Sequence, residues 1–199
     1  MQKNLYKSSY NLLQNDLKNK ILLLDGAMGT MIQQENLTAD DFGGEKYEGC
    51  NDYLVLQRPD VIKNIHKKYL EAGSDIIETN SFGALDIVLK DYDLEDTVFE
   101  MNKKAAELVN EAIAEYRSEH PEVTRNLYVA GALGPSNKSI SVTGGVTFEE
   151  LIHSYYTAVS GLLAGGVDLI LFETIQDTRN LKAAYLGLKK AMEENYTVP

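Results

Sequence analysis

The chain has 199 residues, of which 44% are hydrophobic and 25% charged, a composition typical of a soluble globular domain with its own core. Its formal net charge of -11 would repel a phosphate backbone or an anionic lipid surface, which argues against nucleic-acid and membrane binding. A single cysteine excludes an intramolecular disulfide, and the opening MQKNLYKSSYN lacks the apolar segment of a secretion signal. We therefore expect one domain over residues 1–199 and a cytoplasmic location.

Four short apolar runs predict β-strands, with helical patterns between them. The runs cover residues 21–25, 75–80, 127–134 and 168–174, and because they lack polar alternation they suit strands buried on both faces. Apolar side chains recur at helical spacing over residues 60–72, 96–116, 148–164 and 180–194. This alternation of four strands and four helices predicts an α/β fold with a parallel sheet, either doubly wound or a (β/α) barrel.

Helix boundaries and one long loop are also readable. Pro59 stands where the first of these helices would begin, and Thr147 is a predicted N-cap before Glu149 and Glu150. The strings EAGSD and AGGVD each predict a glycine C-cap that leads directly into a strand. Residues 26–58 show turn residues and little periodicity, and a loop of this length after a strand's carboxyl end is typical of a binding loop or lid.

Three carboxylates close three of the predicted strands. Asp25, Glu78 and Glu173 each stand at a carboxyl end, which is where parallel α/β folds bind their ligands. Converging carboxylates suit a substrate ammonium group or a cation. Each of them could instead cap the next helix or pair with a neighbouring lysine.

The turn after the first strand, DGAMGT, brings glycines to the same end of the sheet. Its backbone amides could approach an anion, a carboxylate or a phosphate. The spacing matches neither GxGxxG nor GxxxxGK[ST], so a nucleotide site has little support. Asn80 could hydrogen-bond a polar ligand, although turn chemistry explains it equally well.

The remaining reactive residue types are interpreted as structural. His66, His120 and His153 fall in or at the ends of helical patterns, and Cys50 lies in the long first loop as a spectator thiol. No nucleophile, base and orienting group can be assembled from their spacing, so no catalytic residue is assigned.

Four strings of the sequence carry a family resemblance: LLLDGAMGTMIQ, GCNDYLVLQRPDVIKNIHKKYLEAGSDIIETNSFGA, VAGALGPSNK and GGVDLILFETIQD. In this order they closely resemble the homocysteine-binding amino-terminal region of the cobalamin-dependent methionine synthases, within the homocysteine S-methyltransferase family. The resemblance implies a (β/α) TIM-type barrel with zinc at the carboxyl end of its strands. Since only four βα units are visible, this chain would hold the first half of that barrel.

The resemblance also implies roles for the residues at the strand ends. Asp25 and Glu173 would hold the amino group of homocysteine, and the amides of residues 27–30 would lie near its carboxylate. The candidate substrate-binding residues are Asp25, Gly26, Ala27, Met28, Gly29, Thr30, Glu78, Asn80 and Glu173.

The sequence departs from the family in its metal ligands. The family's zinc is held by three cysteines, in a Gly-x-Asn-Cys string and a Gly-Gly-Cys-Cys-Gly string, and neither string occurs in this sequence. Zinc turns the homocysteine thiol, with an ordinary pKa of about 8.5, into a thiolate ready to attack a methyl group. We therefore expect no metal ligand in this chain, and we expect it to be inactive alone.

Two functions are compatible with the sequence. The resemblance implies that the chain is the homocysteine-binding part of an enzyme that moves a methyl group from methylcobalamin to zinc-bound homocysteine and forms methionine. Alternatively, it is an inactive half barrel that binds a small amino acid or assembles with a separate chain. Open sheet edges predict that the missing half of the barrel, or a second copy in a homodimer, covers the apolar interior.

Overall fold

The computed structural model describes the backbone of residues 5–195 and the side chains of residues 9–194. The strands are β1 (Ile76–Glu78), β2 (Tyr128–Leu133) and β3 (Leu169–Phe172). The helices are α1 (Leu5–Asn19), α2 (Met28–Gln34), α3 (Leu54–Gln57), α4 (Pro59–Glu71), α5 (Asp86–Leu89), α6 (Val98–Glu119), α7 (Phe148–Gly165) and α8 (Thr178–Asn195). Short 3₁₀ segments lie at Ala39–Phe42, Glu45–Tyr47, Asn51–Tyr53, Lys90–Tyr92 and Glu95–Thr97.

The three strands form one parallel sheet in the order β1-β2-β3. Ile77 pairs in register with Val129, and both side chains are buried. Every residue of β2 is buried, as expected for the central strand of a sheet packed on both faces. The predicted α/β fold is therefore confirmed, with three of the four predicted strands in place.

The first predicted strand is reduced to a single parallel bridge between Leu24 and Ile76. Residues 21–25 still run beside β1, since the Asp25 N–H donates to the Ile76 carbonyl at 3.0 Å. Beyond this bond, however, the Glu78 N–H donates to the Asp25 carboxylate at 2.9 Å instead of a backbone carbonyl. A side-chain acceptor thus takes the place of a ladder bond, and the expectation of a regular strand over these residues was wrong.

Helix boundaries follow the predicted signals. Pro59 opens α4, and Thr147 caps α7 in a reciprocal capping box with Glu150. Gly166, with φ of 89°, ends α7 in the left-handed conformation that favours glycine. Around the sheet, α6 packs against α4 and α7, and α7 packs against α8.

Helix α1 has no counterpart among the predicted elements. It reaches the amino-terminal end of the sheet, where the Asp16 carboxylate accepts hydrogen bonds from Tyr128 Oη at 2.9 Å and Asn126 Nδ2 at 3.0 Å. These bonds join residues more than 100 positions apart, which local patterns do not report.

The long first loop is more ordered than its pattern indicates. It contains α2, α3 and three of the 3₁₀ segments. The segment Ala39–Phe42 is closed by a capping box between Thr38 and Asp41. None of the helices in the described residues is both long enough and apolar enough to span a membrane.

Candidate functional site

A cavity of about 370 Å³ opens at the carboxyl ends of the three strands. Eight of the nine predicted site residues line it, namely Asp25, Gly26, Ala27, Met28, Gly29, Glu78, Asn80 and Glu173. The ninth, Thr30, lies exposed on α2 and is not part of the lining. Residues that are 148 positions apart in the chain are thus brought to one cavity, as the strand-end argument predicts.

Asp25 is tied directly to the end of β1. Its Oδ1 accepts a hydrogen bond from the backbone N–H of Glu78 at 2.9 Å. Burial, followed by the negative charges of Glu78 and Glu173, raises the pKa of Asp25 to about 7, although the Glu78 N–H favours the ionised form.

Glu78 and Glu173 complete a group of three carboxylates. Burial and the charge of Glu173 raise the pKa of Glu78 to about 7, and burial raises the pKa of Glu173. In the described part of the chain, neither carboxylate accepts a hydrogen bond or pairs with a cation. Among the residues that the structure describes, no lysine, arginine or histidine lines the cavity. The helix-capping and lysine-pairing explanations therefore do not hold for these two residues.

The DGAMGT turn contributes Gly26, Ala27, Met28 and Gly29 to the cavity lining. Ala27 adopts φ of 47°, and its carbonyl accepts from the Met31 N–H at 3.0 Å as α2 begins. A Cβ placed on Gly26 would meet no atom within 4 Å. Gly26 therefore leaves open space in the cavity.

Asn80 serves a structural purpose at the cavity wall. Its Nδ2 donates to the Asn51 carbonyl at 2.8 Å, which ties the segment after β1 to the first loop. As in the turn explanation weighed for Asn80, the side chain bonds to the backbone. The bonded residue, however, is 29 positions away and not in the same turn.

Six lining residues were not among those predicted from the sequence: Gly49, Asn51, Asp52, Thr79, Phe82 and Ala132. Of these, Asp52 and Phe82 add a charge and an aromatic ring. Asp52 accepts a hydrogen bond from the Gly83 N–H at 3.0 Å, and burial raises its pKa to about 6. Phe82 lies over Gly134, where a Cβ would come within 2.5 Å of the aromatic ring. A fourth carboxylate and an apolar wall are thus added by loops, whose residues carry no periodic signal.

Zinc, implied by the resemblance, is not matched by the donors of the described residues. They include no group of three or more histidine, cysteine, aspartate or glutamate side chains placed to hold a metal. Cys50 is buried, and burial together with the charge of Asp52 raises the pKa of its thiol to about 11. A neutral, enclosed thiol is a poor metal ligand, so the described residues support no chemical step through zinc.

The cavity as described is suited to a small positively charged group. Four carboxylates, Asp25, Asp52, Glu78 and Glu173, line it, and no basic residue does so among those described. Asp52 already bonds to the Gly83 N–H. The pKa values of the other three are raised, so each would be stabilised in its ionised form by a cationic partner. An ammonium group can bond to several of these carboxylates at once, because it has three N–H donors.

Comparison with known proteins shows the family to which the chain is similar. A family model described as homocysteine S-methyltransferase matches residues 22–198. The homocysteine methyltransferase MmuM from Escherichia coli, in its metallated form, superposes with a TM-score of 0.73 at 24% identity, covering 92% of this chain and 62% of that chain. Its oxidized form gives a TM-score of 0.73 at 25% identity, with the same coverage of 92% and 62%.

The apo form of the same enzyme superposes with a TM-score of 0.67 at 24% identity, covering 92% of this chain and 59% of that chain. This chain therefore spans about three-fifths of the length of that enzyme. Because the family model matches nearly the whole chain, the family-level resemblance of the sequence is confirmed, and the chain belongs to the homocysteine S-methyltransferase family.

Proposed function

We propose that the cavity binds homocysteine and that Asp25, Glu78 and Glu173 receive its amino group. The observation that carries this proposal is the meeting of these three carboxylates in one cavity, which no basic side chain lines within the described part of the chain. A bound ammonium group would supply the donors that Glu78 and Glu173 lack among the described residues.

The carboxylate of the ligand is assigned to the turn formed by residues 26–30. This part of the proposal rests on the family resemblance and on the open space beside Gly26. Thr30 lies on α2 outside the cavity lining, so we assign this role to the amides of residues 27–29.

The reaction that this binding would serve is methyl transfer to the homocysteine sulfur, which forms methionine. Membership of the family supports homocysteine as the methyl acceptor. The resemblance of the NDYLVLQRPDVI stretch to the methionine synthases is the ground for proposing methylcobalamin as the methyl donor. We assign the described residues to recognition of the amino acid, and none of them to activation of the thiol.

The parallel sheet and its helices are proposed to be the first half of a (β/α) barrel. Supporting this, a helix follows each strand, and the cavity lies at the carboxyl ends, where such barrels bind substrate. The proposal explains why residues from loops after different strands contribute to one site.

Calorimetric titration of homocysteine into the chain and two variants tests the proposed binding. Asp25→Asn and Glu173→Gln should each weaken binding by about 1.5 to 3 kcal/mol, the usual contribution of a charge-assisted hydrogen bond. Glu100→Gln, at an exposed carboxylate on α6, is the matched control and should bind like the parent. If both cavity variants bind within twofold of the parent, these carboxylates are structural.

An assay for methionine formation separates the two functions considered from the sequence. Because we expect the chain to be inactive alone, the assay uses a version extended through the missing half of the barrel, with the methyl donor and zinc supplied. Homocysteine binding without methyl transfer by that version would favour the amino-acid-binding half barrel over the enzyme.

A further inference from the structure

Asp52 links the long first loop to the sheet through a short series of hydrogen bonds. The series begins at β2, where the Ala132 N–H donates to Thr79 Oγ1 at 3.0 Å, and Ser81 Oγ donates to the Ala132 carbonyl at 2.8 Å. Thr79 and Ser81 are joined by their hydroxyl groups at 2.6 Å. The segment that follows β1 is therefore held rigidly on the central strand.

From this segment the series continues to the loop. The Gly83 N–H donates to Asp52 Oδ1 at 3.0 Å, and beside this bond Asn80 Nδ2 donates to the Asn51 carbonyl at 2.8 Å. Gly49, Asn51 and Asp52 all line the cavity, so these bonds determine where one of its walls lies.

The space around Asp52 is adapted to this contact. A Cβ on Gly83 would come within 2.9 Å of Asp52 Oδ2, closer than real Cβ contacts allow. The absence of a side chain at position 83 thus lets the carboxylate dock, while Gly83 itself is not among the cavity-lining residues. Burial of the Asp52 carboxylate raises its pKa, and the Gly83 N–H partly compensates this cost.

We propose that Asp52 is a positioning residue, whose hydrogen bond to Gly83 holds the loop segment 49–53 as a wall of the ligand cavity. This inference rests on the proposed homocysteine site. Ligand binding then depends on the acceptor oxygen of Asp52, which places the loop, and depends little on the negative charge of Asp52.

Four variants separate these contributions. Asp52→Ala removes the acceptor, and Gly83→Ala obstructs the docking without changing any lining residue. Asp52→Asn keeps an oxygen that can accept from the Gly83 N–H but removes the charge. Asp40→Ala is the matched control, since Asp40 is an exposed aspartate in the same loop and its side chain makes no hydrogen bond among the described residues.

Homocysteine affinity should fall about tenfold in Asp52→Ala and Gly83→Ala, the loss that corresponds to one buried hydrogen bond to a charged group. Asp52→Asn should recover affinity to within about threefold of the parent, and Asp40→Ala should not change it. Hydrogen exchange of the ligand-free chain should be faster over residues 49–53 in the two disruptive variants and restored in Asp52→Asn.

Two results would overturn the inference: parental affinity and exchange in both disruptive variants, or an Asp52→Asn variant as weak as Asp52→Ala. If Asp52→Ala does not fold, Gly83→Ala and Asp52→Asn still decide the matter. Failure of the parent itself to bind homocysteine would contradict the proposed function instead, and the exchange data would then show whether Asp52 positions the loop.

Discussion

The backbone N–H of Glu78 donates to Asp25 Oδ1 at 2.9 Å, so the ends of two neighbouring chain segments share one hydrogen bond at the cavity. The bond brings a second carboxylate, that of Glu78, beside the first. Burial is the main cause that raises the pKa of each to about 7; the charges of Glu78 and Glu173 add to it at Asp25, and the charge of Glu173 adds to it at Glu78. The site therefore holds carboxyl groups that change charge near neutral pH, which has a direct consequence for binding.

Affinity for a ligand with an ammonium group should rise with pH from about 5.5 to 7.5. Asp25 and Glu78 have pKa values raised above their ordinary range, so they are largely protonated at the lower pH and ionised at the higher. Only the ionised form attracts an ammonium group, and we expect a gain of about tenfold across this range. L-methionine is the appropriate probe for calorimetry, because its thioether has no proton to lose.

The paired variant Asp25→Asn with Glu78→Gln is the control for this pH dependence. It should bind weakly and with little change in affinity between the two pH values, since neither replacement titrates. An unchanged pH profile in this variant would assign the dependence to other groups, among them Asp52 and Glu173, whose pKa values are also raised.

Gly26→Ala should leave the fold intact but reduce the room for ligand. Its Cβ would meet no protein atom within 4 Å and would project into open space at the cavity. We expect a free energy of unfolding within about 0.5 kcal/mol of the parent and homocysteine affinity lower by about tenfold. Denaturant unfolding and calorimetry on the same sample check both statements. Full affinity would mean that the ligand does not occupy this part of the cavity.

The positions of β1 and β3 were predictable because each lies within a short apolar run. Residues 75–80 and 168–174 are short apolar runs between glycine and polar residues, and β1 and β3 lie inside them. The convergence of Asp25, Glu78 and Glu173 then follows from parallel strand order alone.

What the sequence did not predict depends on contacts between distant residues. Helix α1 meets the sheet through Asp16 and Tyr128, which are 112 positions apart, and Asp52 reaches Gly83 across 31 positions. The expected first strand is reduced to one bridge, because the Glu78 N–H bonds to the Asp25 side chain instead of a backbone carbonyl. Apolar periodicity carries no information about such side-chain bonds.

His66→Leu should stabilise the chain, most strongly in acid. His66 is fully buried, and neither ring nitrogen has a hydrogen-bond partner among the described residues. Burial lowers the pKa of His66 to about 3. Between about pH 3 and pH 6.5, the unfolded state therefore binds a proton that the native state does not. Stability from this group is therefore lost as pH falls below about 6.5.

The expected gain for His66→Leu is about 1 kcal/mol at pH 7 and larger at pH 5, measured by urea unfolding at both pH values. His153→Leu, at an exposed histidine on α7, is the matched control and should keep the parental dependence on pH. A His66→Leu variant that is less stable than the parent at pH 5 would show that the imidazole has a favourable role in the core.

The chain should associate in solution through the apolar residues beside β1. Ile21, Leu23 and Leu24 are 87%, 55% and 45% exposed, which places a contiguous apolar segment at the open side of the sheet. We propose a dimer or larger assembly, in line with the homodimer expected from the sequence. Sedimentation velocity across a concentration series checks it, with Ile21→Glu combined with Leu23→Glu expected to dissociate the assembly. A compact 22.2 kDa species at all concentrations would contradict it.

The central claim, recognition of the homocysteine amino group by the cavity carboxylates, is tested most directly by comparing homocysteine with 4-mercaptobutanoate. The two molecules share the thiol, the carboxylate and the chain length, and only homocysteine has the ammonium group. Calorimetry on the parent chain should show homocysteine binding tighter by about 1.5 to 3 kcal/mol or more, because Asp25, Glu78 and Glu173 repel an uncompensated anion. Equal affinity for the two would contradict the account.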